Sequence, residues 1–308
     1  MTKSGENGIL TLIMWEKREP MLQDLSFGKL ENAFRLQQPA GEEPVICISG
    51  SRVLIKREES GILTLPSCEA VGKWAEAFGW SRWEQEGFRY IFRMQGVDCY
   101  LWMGQSGECV DPDYHYEEVR QLRQLQSKET CFAVMTAWHL YAWYRDNRFC
   151  GRCATPTVHD RAERMMRCPE CGNMIFPRIS PAVIVAVTDG DRLLMSKYAG
   201  RAYTRYALLA GYTEIGETLE ETVHREVMEE VGLRVKNIRY YKSQPWGVDG
   251  NVLMGFYCDL DGDDTIHMDT TELSLAQWFD RREIPARDDG ISLTREMIRV
   301  FEEGKEPL

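Results

Sequence analysis

Arg225, Glu226, Glu229 and Glu230 place one guanidinium and three carboxylates within six residues. Thr218 to Val231 contains no Gly or Pro, and Leu219, Val223, Val227 and Val231 recur every four residues, which predicts an amphipathic helix. Successive helical residues rotate by about 100°, so the three glutamates fall within an arc of roughly 100° beside that stripe. Carboxylates crowded in this way repel unless a cation sits among them. Hard oxygen ligands of this type suit Mg²⁺ or Mn²⁺ shared with a phosphate-bearing substrate. Gly232 is placed to end the helix as a left-handed cap, and Gly211 suits a loop that approaches a phosphate closely. The competing reading is a solvated acidic face on which Arg225 pairs with Glu229 at i,i+4; the glycines at fixed spacing favour the metal site. Glu217, one turn ahead of the helix, is positioned either to orient a ligand or to help cap the helix.

A second constellation lies upstream. Cys150 and Cys153 form one CxxC, and 14 residues later Cys168 and Cys171 form another. This is the spacing of a tetrahedral Cys₄ zinc site. Four thiolates leave no open coordination position, so the zinc is expected to be structural, with nucleic-acid binding by the ribbon as the alternative. Cys47, Cys68, Cys99, Cys109, Cys131 and Cys258 are scattered. The polar start MTKSGENG has no signal-peptide character, so these six read as reduced core thiols of a cytoplasmic protein.

The elements that must position these groups follow from length and pattern. A chain of 308 residues exceeds the usual single-domain size, which predicts two folded units plus the ribbon. No apolar run approaches 18 residues, so no membrane-spanning helix is expected. A formal charge of −11 argues against a non-specific nucleic-acid binder, which would carry a basic face. Residues 1–128 hold short apolar runs such as Val45–Ile48, Arg52–Ile55 and Tyr90–Phe92 between turn residues, as in a mainly β unit with some helix. Residues 129–148 read as an aromatic-rich linking helix whose Trp138, Tyr141, Trp143 and Tyr144 a monomer would expose, which suggests a dimer surface. His139 on it reads as a core or interface histidine, and His224 faces away from the glutamates. The ribbon occupies 149–176. In 177–308, strands are expected near Ala182–Val187, Asp191–Ser196, Asn237–Ser243 and Leu253–Asp259, with Trp278 and Phe279 closing the sheet and a last helix over Leu293–Glu303. This alternation predicts an α/β/α sandwich with a mixed sheet.

The stretch from Gly211 to Leu233 fits G-x5-E-x7-R-E-U-x-E-E-x-G-U (U aliphatic) at Gly211, Glu217, Arg225, Glu226, Val227, Glu229, Glu230, Gly232 and Leu233. It therefore resembles the Nudix hydrolases, which split pyrophosphates attached to a nucleoside or similar group. The ribbon, then FPRISPAVI (Phe176 to Ile184), LAGYTEIGE (Leu209 to Glu217) and the tetrapeptide Ser243-Gln244-Pro245-Trp246 resemble the NADH pyrophosphatase branch of that family over about Phe149 to Trp278. The resemblance implies hydrolysis of NADH or NAD⁺ to nicotinamide mononucleotide and AMP, and removal of NAD caps from RNA 5′ ends. It makes Glu226, Glu229, Glu230, Arg225 and Glu217 the catalytic set, with Mg²⁺ or Mn²⁺ held by Glu226, Glu229, Glu230, Glu272 and Ala210. Glu272 enters through its Thr271-Glu272-Leu273 context six residues before Trp278.

The resemblance further implies that Tyr212 and Phe176 stack on the substrate ring from different subunits of a homodimer. Gln244, Pro245 and Trp246 contact the dinucleotide, with Arg120 and Glu163 aligned loosely to further contacts. Residues 1–128 correspond to a degenerate Nudix-like domain without the box. One departure stands out. The branch continues S-Q-P-W-P-F-P, whereas here Gly247-Val248-Asp249-Gly250-Asn251-Val252 precedes Leu253 and Met254, a glycine-flanked loop one residue longer. Two other functions stay open: a Nudix pyrophosphatase for another dinucleotide or capped nucleotide, and a zinc-ribbon binding protein with an inactive Nudix fold. The intact glutamates count against the second.

Overall fold

The computed structural model describes residues 24, 30–78, 87–104, 111–124, 128–200, 204–285 and 290–307. The polar opening stretch and Cys109 lie outside the described residues. Short alternating runs form the N-terminal strands β1 (Leu30–Glu31), β2 (Val45–Ile46), β3 (Ile48–Ser49), β4 (Arg52–Arg57) and β5 (Leu63–Thr64), followed by helix α1 (Cys68–Phe78). Strands β6 (Phe88–Met94), β7 (Val97–Trp102) and β8 (Tyr114–Glu118), a 3₁₀ turn (Val119–Gln124) and helix α2 (Lys128–Asp146) complete this half. Strands β2 and β3 are one extended run interrupted at Cys47. Its start pairs in parallel with β7, and its end pairs antiparallel with β4. With the β6–β7 and β4–β8 pairings, the strands line up as β1-β6-β7-β2/β3-β4-β8.

Side-chain alternation along β2/β3 explains why this sheet needs a helix on each face. Val45 and Cys47 join Val71 and Ala75 of α1 in one buried cluster, while Ile46 and Ile48 join Phe132, Met135 and Leu140 of α2 in another. Helix α2 therefore packs as part of the N-terminal half and is not a free connector. The expectation that its aromatics would lie exposed is overturned: Tyr141, Trp143 and Tyr144 are buried within the one chain, and Trp138 is partly buried against the same cluster. The helix is apolar on nearly all sides because it is covered on nearly all sides. The N-terminal sheet, Met166 and Ile175 of the ribbon, and Trp246, Val248 and Ile291 from the second half all pack against this cluster.

The ribbon folds as three short strands, β9 (Val158–His159), β10 (Met166–Arg167) and β11 (Met174–Ile175), in an antiparallel sheet. The C-terminal half then comprises β12 (Ser180–Asp189), β13 (Arg192–Tyr198), β14 (Leu209–Tyr212), α3 (Leu219–Val231), β15 (Val235–Trp246), β16 (Asn251–Leu260), β17 (Leu273–Asp280), a second 3₁₀ turn and α4 (Leu293–Glu302). The sheet order is β15-β16-β12-β13-β17, with β14 beside β12 and a parallel β12–β16 pair among antiparallel ones, the mixed sheet expected. Val183, Val185 and Val187 meet the valine stripe of α3, while Ile184 and Ala186 meet Leu293, Met297 and Phe301 of α4. The α/β/α sandwich follows from this period-two alternation on a central strand.

After β1, and with β2/β3 counted as one strand, both halves run strand, strand, strand, helix, three strands, 3₁₀ turn, helix, each around a parallel pair formed by the first strand and the fifth of that run. They differ in that β5 pairs with β4, whereas β14 pairs with β12. Helix α1 carries Glu69 and Glu76 but nothing like the Arg-Glu-x-x-Glu-Glu array of α3.

The halves meet at the departing loop. A β-carbon on Gly247 would lie 2.1 Å from the carbonyl oxygen of Met135 on α2, so only glycine permits this approach. His139 Nε2 lies 2.7 Å from the carbonyl oxygen of Arg178, which ties α2 to the approach to β12 and makes His139 the contact histidine expected. Gly247→Ala is therefore expected to destabilise the protein by about 1–3 kcal/mol through overpacking, read as a lowered midpoint in chemical denaturation.

Candidate active site and zinc site

Helix α3 begins and ends on local signals. Thr218 is its N-cap and forms a reciprocal capping box with Glu221, and Gly232 closes it in the left-handed conformation at φ 69°. Glycine at 232 is doubly required, since a β-carbon there would also lie 2.8 Å from that of His267. The amides of His267 and Asp269 donate to the carbonyls of Val231 and Glu230, so the 267–269 segment satisfies the helix end. That docking sets the turn from which Glu272 projects. Glu272 lies near enough for its charge to act weakly on the Glu226 carboxyl.

The five N–H bonds of Arg225 organise the carboxylates. Nε and Nη2 donate to the two oxygens of Glu217 at 2.6 and 2.9 Å, and Nη1 donates to Glu226 at 2.7 Å and Glu229 at 3.0 Å. The fifth bond, from Nη2, reaches the carbonyl oxygen of Tyr212 at 2.8 Å. The i,i+4 pair with Glu229 is thus present within a larger cluster. Glu217 also accepts from Glu214 N and Thr222 Oγ1, and Arg225 above all holds its carboxyl down at about 2. Of the two roles open for Glu217, the helix cap falls to Thr218 and Glu221 instead.

Glu226 and Glu230 are 9% and 2% exposed, whereas Glu229 is exposed. Burial pushes the Glu226 carboxyl up, opposed by Arg225. The carboxyl of Glu226 occupies the space beside Gly211: a β-carbon there would lie 1.8 Å from its carboxyl carbon. Gly211 is therefore needed for Glu226, a reason that box spacing alone did not disclose. Ala210, in β14 opposite Ile184, has only its backbone carbonyl to offer a metal. The donors expected from the resemblance, Glu226, Glu229, Glu230, Glu272 and the Ala210 carbonyl, offer only oxygen, the ligand type that a hard divalent cation takes. His224 is exposed, consistent with its having no part in the cluster.

The remaining expected contacts divide. Tyr212 and Phe176 are 50% and 52% exposed, available as ring platforms. Tyr212 OH accepts from Asn251 Nδ2 at 3.3 Å, a partner that no spacing pattern singles out in the sequence. Pro245 and Glu163 are exposed, the latter on the ribbon turn where its amide donates to Asp160. Gln244 is a correction. It is wholly buried, donating to Ile291 O at 2.7 Å and accepting from Leu293 N at 2.9 Å, so it anchors the start of α4 and presents no side chain to a ligand. Its neighbours in the tetrapeptide alternate outward because the strand period is two. Trp246 packs against the α2 cluster with Nε1 on Asp249, and Arg120 pairs with the same Asp249.

In the ribbon, the four cysteine sulfurs lie within 4.8 Å of one another, with contacts of 3.4–3.6 Å. Zn–S bonds of about 2.3 Å in a tetrahedron demand sulfur separations near this value. Arg152 N donates to Cys150 Sγ and Cys171 N to Cys168 Sγ, as knuckle amides do for thiolates. Among the described residues, this is the group in which three or more candidate ligand atoms converge. Cys47, Cys68, Cys99, Cys131 and Cys258 are buried free thiols, as expected.

Two outcomes follow. An acid with a depressed folded-state pKa contributes stability that is present above its ordinary value and lost as pH falls through the folded value. For Glu217 that window runs from 4.5 down to about 2. Unfolding midpoints in urea should fall across this window in the parent protein and fall less in Glu217→Gln. Cys153→Ser should abolish bound zinc, measured by elemental analysis, and strip hydrogen-exchange protection from residues 158–175, since structural zinc binding is coupled to folding.

Comparison with known proteins places the chain in a family. The NUDIX domain pattern matches residues 178–301, and the NADH pyrophosphatase zinc ribbon domain matches residues 145–176. The NAD-capped RNA hydrolase NudC of Pectobacterium atrosepticum is 36% identical over 200 residues, 64% of this chain and 76% of that protein. The protein of the same description from Chromobacterium violaceum is 41% identical over 167 residues, covering 54% of this chain. This chain spans 63% of that relative's length. A crystal structure of a NUDIX hydrolase from Nitrosomonas europaea aligns with a TM-score of 0.44 at 24% identity, over 51% of this chain and 91% of that one. With box, ribbon and carboxylate cluster in one chain, this protein belongs to the Nudix hydrolases, in the group that carries the NADH pyrophosphatase zinc ribbon.

Proposed function

We propose that this protein hydrolyses the pyrophosphate of NADH or NAD⁺ to nicotinamide mononucleotide and AMP, and removes NAD caps from RNA 5′ ends. The observation that carries the reading is Arg225 joining Glu217, Glu226 and Glu229 to the carbonyl of Tyr212, an exposed ring beside the carboxylates. The relatives described as NAD-capped RNA hydrolases supply the substrate class. Glu226, Glu229, Glu230, Glu272 and the Ala210 carbonyl would hold Mg²⁺ or Mn²⁺. Such a cation, when bound, neutralises phosphate charge and acidifies water. Arg225 orients the carboxylates, Gly211 leaves room for Glu226, and Tyr212 offers its face to a ring, a contact worth about 1–3 kcal/mol per base.

Two further parts of the reading concern assembly and place. We propose a homodimer in which Phe176 of one protomer faces the Tyr212 side of the other. The surface favoured for it is the ribbon and the segment just after it, where Phe149, Val158, Met174, Phe176 and Ile179 are exposed apolar residues. This replaces α2, whose aromatics are already covered. Among the described residues, no helix is long and apolar enough to cross a membrane, which is compatible with a cytoplasmic enzyme. Residues 1–128 are read as a Nudix-like unit without the box, on the shared order of elements. A pyrophosphatase for another dinucleotide is the second reading, favoured by the departing loop lying locked on α2.

Purified protein with Mg²⁺ or Mn²⁺ should turn over NADH, NAD⁺ and NAD-capped RNA faster than diadenosine polyphosphates or ADP-ribose. Glu226→Gln and Glu230→Gln should each lower kcat by orders of magnitude while the variants still fold, shown by parental circular dichroism and cooperative unfolding. Near-parental turnover by either variant overturns the assignment of these glutamates. A clear preference for another dinucleotide selects the second reading.

A further inference from the structure

The loop after Trp246 is bound on both sides of the molecule. Asp249 Oδ1 accepts from Arg120 Nη2 at 2.5 Å, and Asp249 Oδ2 accepts from the Trp246 indole at 3.0 Å. Arg120 belongs to the 3₁₀ turn of the N-terminal half, so one carboxylate joins that half to the indole of the S-Q-P-W strand. The backbone between them turns tightly, with Asp249 N donating to Trp246 O and Gly250 N to Gly247 O. Gly247 rests on the Met135 carbonyl, and Gly250, at φ +68°, faces the His139 imidazole. On its far side, Gly250 O accepts from Ser180 N, and Asn251 reaches the Tyr212 hydroxyl. Tyr212 O in turn accepts from Arg225. An unbroken run of contacts therefore leads from Arg120 to the guanidinium that holds the catalytic carboxylates.

We propose that Asp249 is a positioning residue for substrate recognition. By bridging Arg120 and Trp246, it fixes the turn that places Asn251 against Tyr212, and so sets where the substrate's ring can lie. The N-terminal half, which carries none of the glutamates, takes part in recognition through this bridge. The pair is partly exposed, with side-chain exposures of 66% and 36%, so its own strength is modest and its effect lies in what it holds. The inference rests on the pyrophosphatase reading only for its kinetic readout. The turn itself can be followed without turnover.

The test uses the full chain with Mn²⁺ and NADH. Asp249→Ala should raise KM threefold to tenfold with kcat within twofold of the parent. Asp249→Asn, which can keep the indole bond but loses the charge, should fall between. Arg120→Ala should raise KM, and Arg120→Ala/Asp249→Ala should be no worse than Asp249→Ala alone, because both changes break one bridge. Amide exchange at residues 247–251 should quicken at least tenfold in Asp249→Ala. Parental KM in both single variants, or a fall in kcat that tracks lost thermal stability, overturns the positioning role. If the parent does not turn over NADH, the function proposed above fails on its own. The exchange rates then decide the bridge, with unchanged rates at 247–251 rejecting it.

Discussion

A single guanidinium holds the site together. Arginine offers five donors in a rigid planar fork and stays charged at any relevant pH. In Arg225 all five are used, on three carboxylates and one backbone carbonyl. A lysine, with three donors on a flexible stem, could not address Glu217, Glu226, Glu229 and Tyr212 together. The arrangement lets a chain with net charge −11 keep the Glu226 and Glu229 carboxylates in close company on one helix, the first of them largely buried. It also joins the loop ahead of α3 to the helix, because Glu217 and Tyr212 both lie outside it.

The cluster depends in turn on close backbone approaches. Gly211 leaves room for the Glu226 carboxyl, and Gly232 lets the 267–269 segment dock against the helix end. Gly247 performs the same service at the junction of the two halves, where loop backbone lies directly on α2. A side chain at any of the three would push apart groups that now lie in direct contact. Glycine here is required by its neighbours, and at Gly232 by backbone conformation as well.

The role of α2 shows how context decides the meaning of an apolar helix. Hydrophobic residues on all sides imply burial on all sides, but they do not say by what. The covering surfaces are the N-terminal sheet, the ribbon and the departing loop, all from the same chain. The loop's substitution of Gly-Val-Asp-Gly for a proline-stiffened segment fits this contact: Gly247 for closeness, Val248 for packing and Asp249 for Arg120 and Trp246.

Much of the fold and site was legible in the sequence because it is encoded by local period. The valine stripe of α3, its Thr218 and Gly232 ends, the two-sided alternation of β12 and the paired CxxC spacing each follow from neighbours within a few residues. The inward turn of Gln244, the burial of the α2 aromatics, the Arg120–Asp249 bridge and the Asn251–Tyr212 contact could not be read this way. Each joins residues about 40 to 130 positions apart, and contacts at such separations leave no period in a single sequence. Sequence alone determined which groups could bind metal and on which helix face they stand. Tertiary structure decided which of them are buried, which are held by Arg225, and which half of the molecule supports the loop beside the site, because those outcomes depend on how surfaces pack.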